Sequence, residues 1–198
     1  MKQRNQMARL CLGAVIAALY TVLTLALPVL SFGPIQFRLA EGMTVLAWLC
    51  PEAIPGLTLG CFLSNLIGSP YALDWIMGTL ATLIAALWTA HVPKRWMAPI
   101  PPVLCNMVIV GAEIAWFETN GFGSAFFAAW AWNGLTVGIG EAAACGLVGT
   151  LLLRVLQGAG EALSALPDLF GRAGLSGELS GMLLRSAGIA VATGLSMG

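Results

Sequence analysis

Phe32-Gly33-Pro34-Ile35-Gln36-Phe37-Arg38-Leu39-Ala40-Glu41 is the stretch on which the reading of this chain turns. It closes a long uncharged run, Leu10 to Phe37, and sets an arginine and a carboxylate three residues apart where the next apolar run begins. Two readings of the pair stand side by side. Arg38 and Glu41 at i,i+3 can be a local helix-start pair, worth roughly a few tenths of a kcal/mol. Alternatively, they line a site open to one side of a membrane.

The membrane follows from composition. Of 198 residues 59% are hydrophobic and only 9% are charged, and the mean hydropathy is +0.88, far from the balance of a water-soluble globule. The expected fold class is all-α, a polytopic membrane protein. A formal net charge of zero and the lack of any basic block leave nothing to attract a nucleic acid. Cys11, Cys50, Cys61, Cys105 and Cys145 lie inside apolar runs without paired spacing, so they read as small buried residues rather than disulfides or metal ligands. One histidine, His91, makes a zinc site improbable.

Lys2, Arg4 and Arg9 precede the first apolar stretch, Leu10 to Leu30, which is too long for a signal-peptide core and reads as a retained span. Its small residues form two overlapping patterns, Gly13 with Ala17 and Ala14 with Ala18, that let another helix approach closely. Further runs follow: Leu39 to Cys50 and Ile54 to Ile67, both short, separated by a turn at 51–56; then Asp74 to His91, Ile100 to Phe117, and Phe126 to Arg154. The last begins among Phe126, Phe127, Trp130 and Trp132, aromatics suited to a membrane interface. That makes a six-helix transmembrane bundle over 1–156. The Gly-, Ser- and Ala-rich remainder, 157–198, reads as a tail, partly helical or disordered.

Positive charges orient the bundle. Lys2, Arg4 and Arg9, then Lys94 and Arg95, then Arg154 all fall on one side if both termini are cytoplasmic. The outer loops, 31–38, 68–73 and 118–125, then hold a single basic residue, Arg38.

Ionisable and amide groups inside spans are costly and mark cavities or partners. By depth at ~1.5 Å per residue, Asn65, Glu113 and Asn133 reach a similar outer level and can converge with Arg38 and Glu41. Asn106 and Glu141 fall deeper and can instead bond to each other, while Gly134, Gly138 and Glu141 share a face that leaves room for a ligand or a neighbouring backbone. No P-loop and no HExxH motif occurs, and His91 has no plausible nucleophile beside it, so the chain reads as no enzyme, with no catalytic residues, metal or cofactor.

The run FGPIQFRLAEGMTVLAWLCPEAIPGLTLGCFLSNL, with DWIMGTLATLIAALWT, PPVLCNMVIVGAEIAW and NGLTVGIGEAAACGLV, resembles the QueT family, substrate-binding (S) components of energy-coupling factor (ECF) transporters for queuosine precursors. The resemblance spans residues 8 to 156 and all six runs. It implies capture of a small-molecule deazapurine, such as the aminomethyl-deazaguanine precursor, from outside the cell. It also implies partners: an ECF transmembrane coupling subunit, two cytoplasmic ATPases, and the lipid bilayer in which the S component tips to deliver its ligand. Glu41, Glu113 and Glu141 would then accept ligand N–H groups, Asn65, Asn133 and Asn106 would donate and accept, and Arg38 would donate to the ring carbonyl. Ala14 and Ala18, with Gly13 and Ala17 beside them, would meet the coupling subunit. An S component for another vitamin or purine-like solute, and a membrane assembly protein whose polar groups only hold helices together, remain as alternatives.

Overall fold

The computed structural model describes residues 2–31 and 37–159. The chain divides into two compact units, Met1–Thr150 and Leu151–Gly198; of the second, 151–159 are described and are helical. The expected loop 32–36 and the tail beyond 159 lie outside the described residues. Among those described every regular element is helical: α1 Lys2–Ala26, α2 Pro28–Ser31, a 3-10 segment Leu39–Val45, α3 Leu46–Leu49, α4 Ala53–Gly68, α5 Ala72–Thr89, α6 Ile100–Thr119, and α7 Phe126–Ala143 followed by a π-helical stretch Ala144–Gly149. A one-turn 3-10 helix, Arg95–Met97, lies between α5 and α6. Four helical segments, at Arg9–Ala26, Ala72–Thr89, Arg95–Thr119 and Phe126–Ala159, are long and apolar enough to cross a membrane. Leu39–Leu49 and Ala53–Gly68 are apolar but shorter.

Local chemistry explains where the elements depart from the sequence pattern. The first helix stops at Ala26, not Leu30, because Pro28 has no N–H to bond and crowds the preceding turn. Proline and glycine at 55 and 56 suggested a turn, yet both lie inside α4: Pro55 falls in its first turn, where a missing N–H leaves nothing unpaired. Gly56 and Gly60 are there for packing. A Cβ on Gly56 would stand 2.6 Å from the Gly13 carbonyl, and one on Gly60 2.8 Å from the Ala17 carbonyl. The α1–α4 contact therefore brings backbone against backbone, with Gly13 and Ala17 on one side and Gly56 and Gly60 on the other. Thr21 adds a hydroxyl bond to the Gly60 carbonyl (3.2 Å). Ala14 and Ala18, one residue around the helix, stay exposed.

The expected second span is an interior segment. From Ala40 to Ala47 every residue is buried, and seven residues run in 3-10 geometry, longer than such turns usually extend. Its neighbour is the π-helical stretch, itself irregular. A Cβ on Gly42 would lie 2.9 Å from the Ala144 carbonyl, and one on Gly149 2.9 Å from the Gly42 carbonyl. These two glycines let two non-α backbones touch, and the Cys145 thiol donates to the Glu41 carbonyl at 3.3 Å across the same seam. Between α6 and α7, Gly111 faces Gly134 and Met107 fills the space over Gly134 and Gly138. The glycine face of α7 thus takes a neighbouring helix rather than leaving a void. The apolar centre beside it is Ala81, Val110 and Val137.

Candidate functional site

Charged side chains collect inside the first unit although α-helical packing in lipid supplies no water to solvate them. Among the described residues the buried basic and acidic side chains are Arg38 and four carboxylic acids, Glu41, Asp74, Glu113 and Glu141. They are arranged in tiers along the helices, and α5 orders two of these tiers: Asp74, Gly78 and Thr82 are successive turns of one face, spanning ~12 Å.

The first tier is built on Arg38. Its guanidinium lies 3.6 Å from Asp74 Oδ2 and its Nε donates to the Ser31 carbonyl at 3.3 Å. Arg38 and Glu41, which stand three residues apart in sequence, do not pair: both are buried, and each is held by other elements. The local helix-start reading is corrected accordingly. Asn65, from the last turns of α4, donates to the Asp74 carbonyl at 3.0 Å. Gly78 leaves the room in which these groups meet, since a Cβ there would be 2.6 Å from Asn65 Nδ2, 3.0 Å from Asp74 Oδ1 and 3.8 Å from an Arg38 terminal nitrogen. Glu113 of α6 is close enough to interact electrostatically with Asp74 and Arg38. Asn65 Oδ1, Asp74 Oδ1 and Glu113 Oε2 are buried and without a hydrogen-bond partner.

Glu41 forms the second tier, and both of its oxygens accept hydroxyl donors. Oε1 takes the Tyr20 hydroxyl and the Thr82 hydroxyl at 3.0 Å, and Oε2 takes Thr44 at 3.0 Å. One carboxylate thereby joins α1, the 3-10 segment and α5. Cys61 of α4 lies alongside, 3.2 Å from the Thr82 hydroxyl and 3.8 Å from Arg38.

Deepest along α7 is Glu141, with the Cys145 thiol at 3.6 Å from its Oε2. Asn106 neighbours it across the α6–α7 interface, but the Asn106 Nδ2 completes no hydrogen bond. The expected Asn106–Glu141 tie is present as proximity only. Asn133 does not join Arg38, Glu41 and Glu113; its Nδ2 donates to Glu118 Oε2 at 2.6 Å, near the end of α6.

Of the cysteines read as buried, Cys61, Cys105 and Cys145 are so, whereas Cys11 is exposed and Cys50 half-buried. The two best-formed grooves, about 490 and 190 Å³, are apolar. One lies between α4 and α5 and the other between α6 and α7, and no member of the polar tiers lines either. The residues of the tiers are themselves buried, at most 7% exposed.

Sequence reasoning missed Asp74, Tyr20, Thr44 and Thr82. Asp74 passed for the opening residue of a span because acids favour a first helical turn. Tyr20 sits four residues after Ile16 and three after Ala17, on the buried face of α1, a position that a hydroxyl takes only with an acceptor.

The sequence that builds this arrangement has counterparts among known proteins. The family model described as QueT transporter matches residues 10–158, a family of transporters rather than enzymes. A Lactococcus lactis subsp. cremoris (strain MG1363) protein named "Queuosine precursor transporter QueT" is 40% identical over 73 residues, 36% of this chain and 43% of that protein. The chain therefore aligns with less than half the length of that relative. No solved structure matches. Since the match runs through every element that carries the polar tiers, the chain belongs to the QueT transporter family.

Proposed function

We propose that this protein is the membrane-embedded S subunit of an ECF-type importer and takes up a queuosine precursor, a 7-deazaguanine such as the aminomethyl form. In this reading all six helical runs lie in the cell membrane with both termini cytoplasmic, residues 1–156 bind substrate, and 157–198 form the tail. The observation that carries the reading is the first tier: an ion pair, an amide and a further acid, buried together by four elements of a transporter-family chain. Buried charges that serve only to hold helices together are poor value for stability, since apolar side chains of similar size do as well or better. Their burial is better explained by a polar ligand.

The ring edge of a guanine-like molecule offers adjacent N–H donors and a carbonyl. Asp74 and Asn65 suit the donors and Arg38 suits the carbonyl. Glu41 supports the site instead of touching the ligand: Tyr20, Thr44 and Thr82 use three of the carboxylate's roughly four acceptor positions. Asn106 and Glu141 form a deeper pair, and Asn133 a peripheral one. Since these residues are buried, the ligand enters as the elements around Arg38 part. The exposed Ala14 and Ala18 suit the coupling subunit, while Gly13 and Ala17 are used internally against α4.

The test is equilibrium binding of labelled aminomethyl-deazaguanine to detergent-purified protein, with other purines and vitamins as competitors. Saturable binding displaced by deazaguanines alone supports the reading. Displacement by an unrelated vitamin instead would assign a different solute, and co-purification without a coupling subunit and two ATPases would remove the ECF assembly.

A further inference from the structure

The first tier holds more hydrogen-bond acceptors than the protein itself satisfies. Asn65 is fully buried and Asp74 and Glu113 are each 7% exposed, yet Asn65 Oδ1, Asp74 Oδ1 and Glu113 Oε2 have no hydrogen-bond partner. An unpaired buried acceptor loses its hydration with nothing in return, and a buried carboxylate loses far more. The ionisable groups lean the same way. Arg38 is the one buried cation among the described residues, against Asp74, Glu41, Glu113 and Glu141. Arg38 is engaged with Asp74 at 3.6 Å, and Glu41 accepts from three hydroxyls. Glu113 is left as the acid in this tier with neither an ion pair nor a hydroxyl donor to its Oε2.

Gly78 stands where Asn65, Asp74 and Arg38 meet, and these groups pack onto its bare backbone, since even a Cβ there would lie 2.6 Å from Asn65 Nδ2 and 3.0 Å from Asp74 Oδ1. A ligand therefore reaches the free acceptors by displacing this packing. The complement of such a cluster is a molecule rich in N–H donors that carries a positive charge.

Resting on the uptake reading above, we propose that Glu113 is the specificity-determining residue of the site: its carboxylate receives a primary ammonium on the ligand, while Asp74 Oδ1 and Asn65 Oδ1 accept ring N–H donors. The protein thereby selects a cationic member of its substrate class over a neutral one with the same ring. A charge-assisted hydrogen bond to a carboxylate is worth about ten- to hundredfold in affinity.

The experiment compares two probes on purified full-length protein: aminomethyl-deazaguanine and the same ring bearing a neutral hydroxymethyl group. Wild type is expected to bind the ammonium probe at least about tenfold more tightly. Glu113→Gln keeps shape and removes charge, so it should weaken the ammonium probe by that factor and leave the hydroxymethyl probe within about threefold. A purely structural role would weaken both probes alike. Gly78→Ala, which would push a methyl against Asn65 and Asp74, is expected to weaken both together and serves as that comparison. Equal affinity of wild type for the two probes, or equal losses on both in Glu113→Gln, overturns the charge assignment while leaving uptake intact. Failure of wild type to bind either probe removes the uptake reading and this proposal with it.

Discussion

Tyr20 is fully buried and donates its hydroxyl to Glu41, so Tyr20→Phe isolates one bond of the second tier with almost no change of volume. A hydrogen bond to a charged group contributes about 1.5–3 kcal/mol and one to a neutral group about half that; the expected loss is therefore about 1–3 kcal/mol. In a chain of this length that corresponds to a fall of several degrees, at about 2–4 °C per kcal/mol. Glu41→Ala removes the acceptor for Tyr20, Thr44 and Thr82 at once. Thr82 can still turn to the Gly78 carbonyl at 3.1 Å, but the Tyr20 hydroxyl is stranded at zero exposure. The expected loss is larger, roughly 3–5 kcal/mol. Because both substitutions delete the same bond, the double variant should be no worse than Glu41→Ala plus a small remainder, giving a coupling of about 1–2 kcal/mol. The assay is thermal unfolding of the detergent-purified variants, followed by tryptophan fluorescence, with ligand binding measured in parallel. Additive losses, or a Tyr20→Phe variant as stable as wild type, would refute the claim that Glu41 ties three elements together. Undiminished stability of Glu41→Gln with abolished binding would return Glu41 to the ligand.

Other outcomes follow from the same contacts. Gly60→Leu should separate α1 from α4, since even a Cβ there would lie 2.7 Å from the Tyr20 Cβ and 2.8 Å from the Ala17 carbonyl; a loss of about 1–3 kcal/mol or failure to fold is expected on the unfolding assay. Asp74→Ala removes the ion-pair partner of a buried guanidinium, and the expected cost, about 3–5 kcal/mol, should shrink in the Arg38→Met/Asp74→Leu pair, as a double-variant cycle would read out. A membrane-permeant maleimide should label Cys11 quickly and spare Cys61 and Cys145 until the protein is denatured, because the first is exposed and the others are buried; mass spectrometry of the labelled chain checks this.

Much of the helical plan is legible in the sequence because lipid-facing runs need length and apolarity, and both can be counted. So is the burial of Arg38, a charge at the wrong edge of an apolar run, and that of Asn65, Glu113 and Glu141. What period and depth cannot carry is which neighbour each polar group meets. Arg38 passes over Glu41, three residues away, to reach Asp74 on α5, because Arg38 has extended backbone and stands outside the helical segment that starts at Leu39, so no helical i,i+3 relation holds it to Glu41. The 3-10 segment itself packs Gly42 against Gly149, a contact 107 positions distant in the chain that no local pattern records. Asn133 likewise matched the others in level, yet the rotation of α7 set by Met107 against Gly134 and Gly138 carries it to Glu118.

The most direct measurement is saturation binding of radiolabelled aminomethyl-deazaguanine to the purified, folded chain, set beside the Arg38→Ala/Glu113→Ala double variant. Wild type should show one saturable site per chain and the variant none. Folded wild-type protein that takes up no label, or a double variant that binds as wild type does, would contradict a substrate site built on Arg38, Asp74, Asn65 and Glu113.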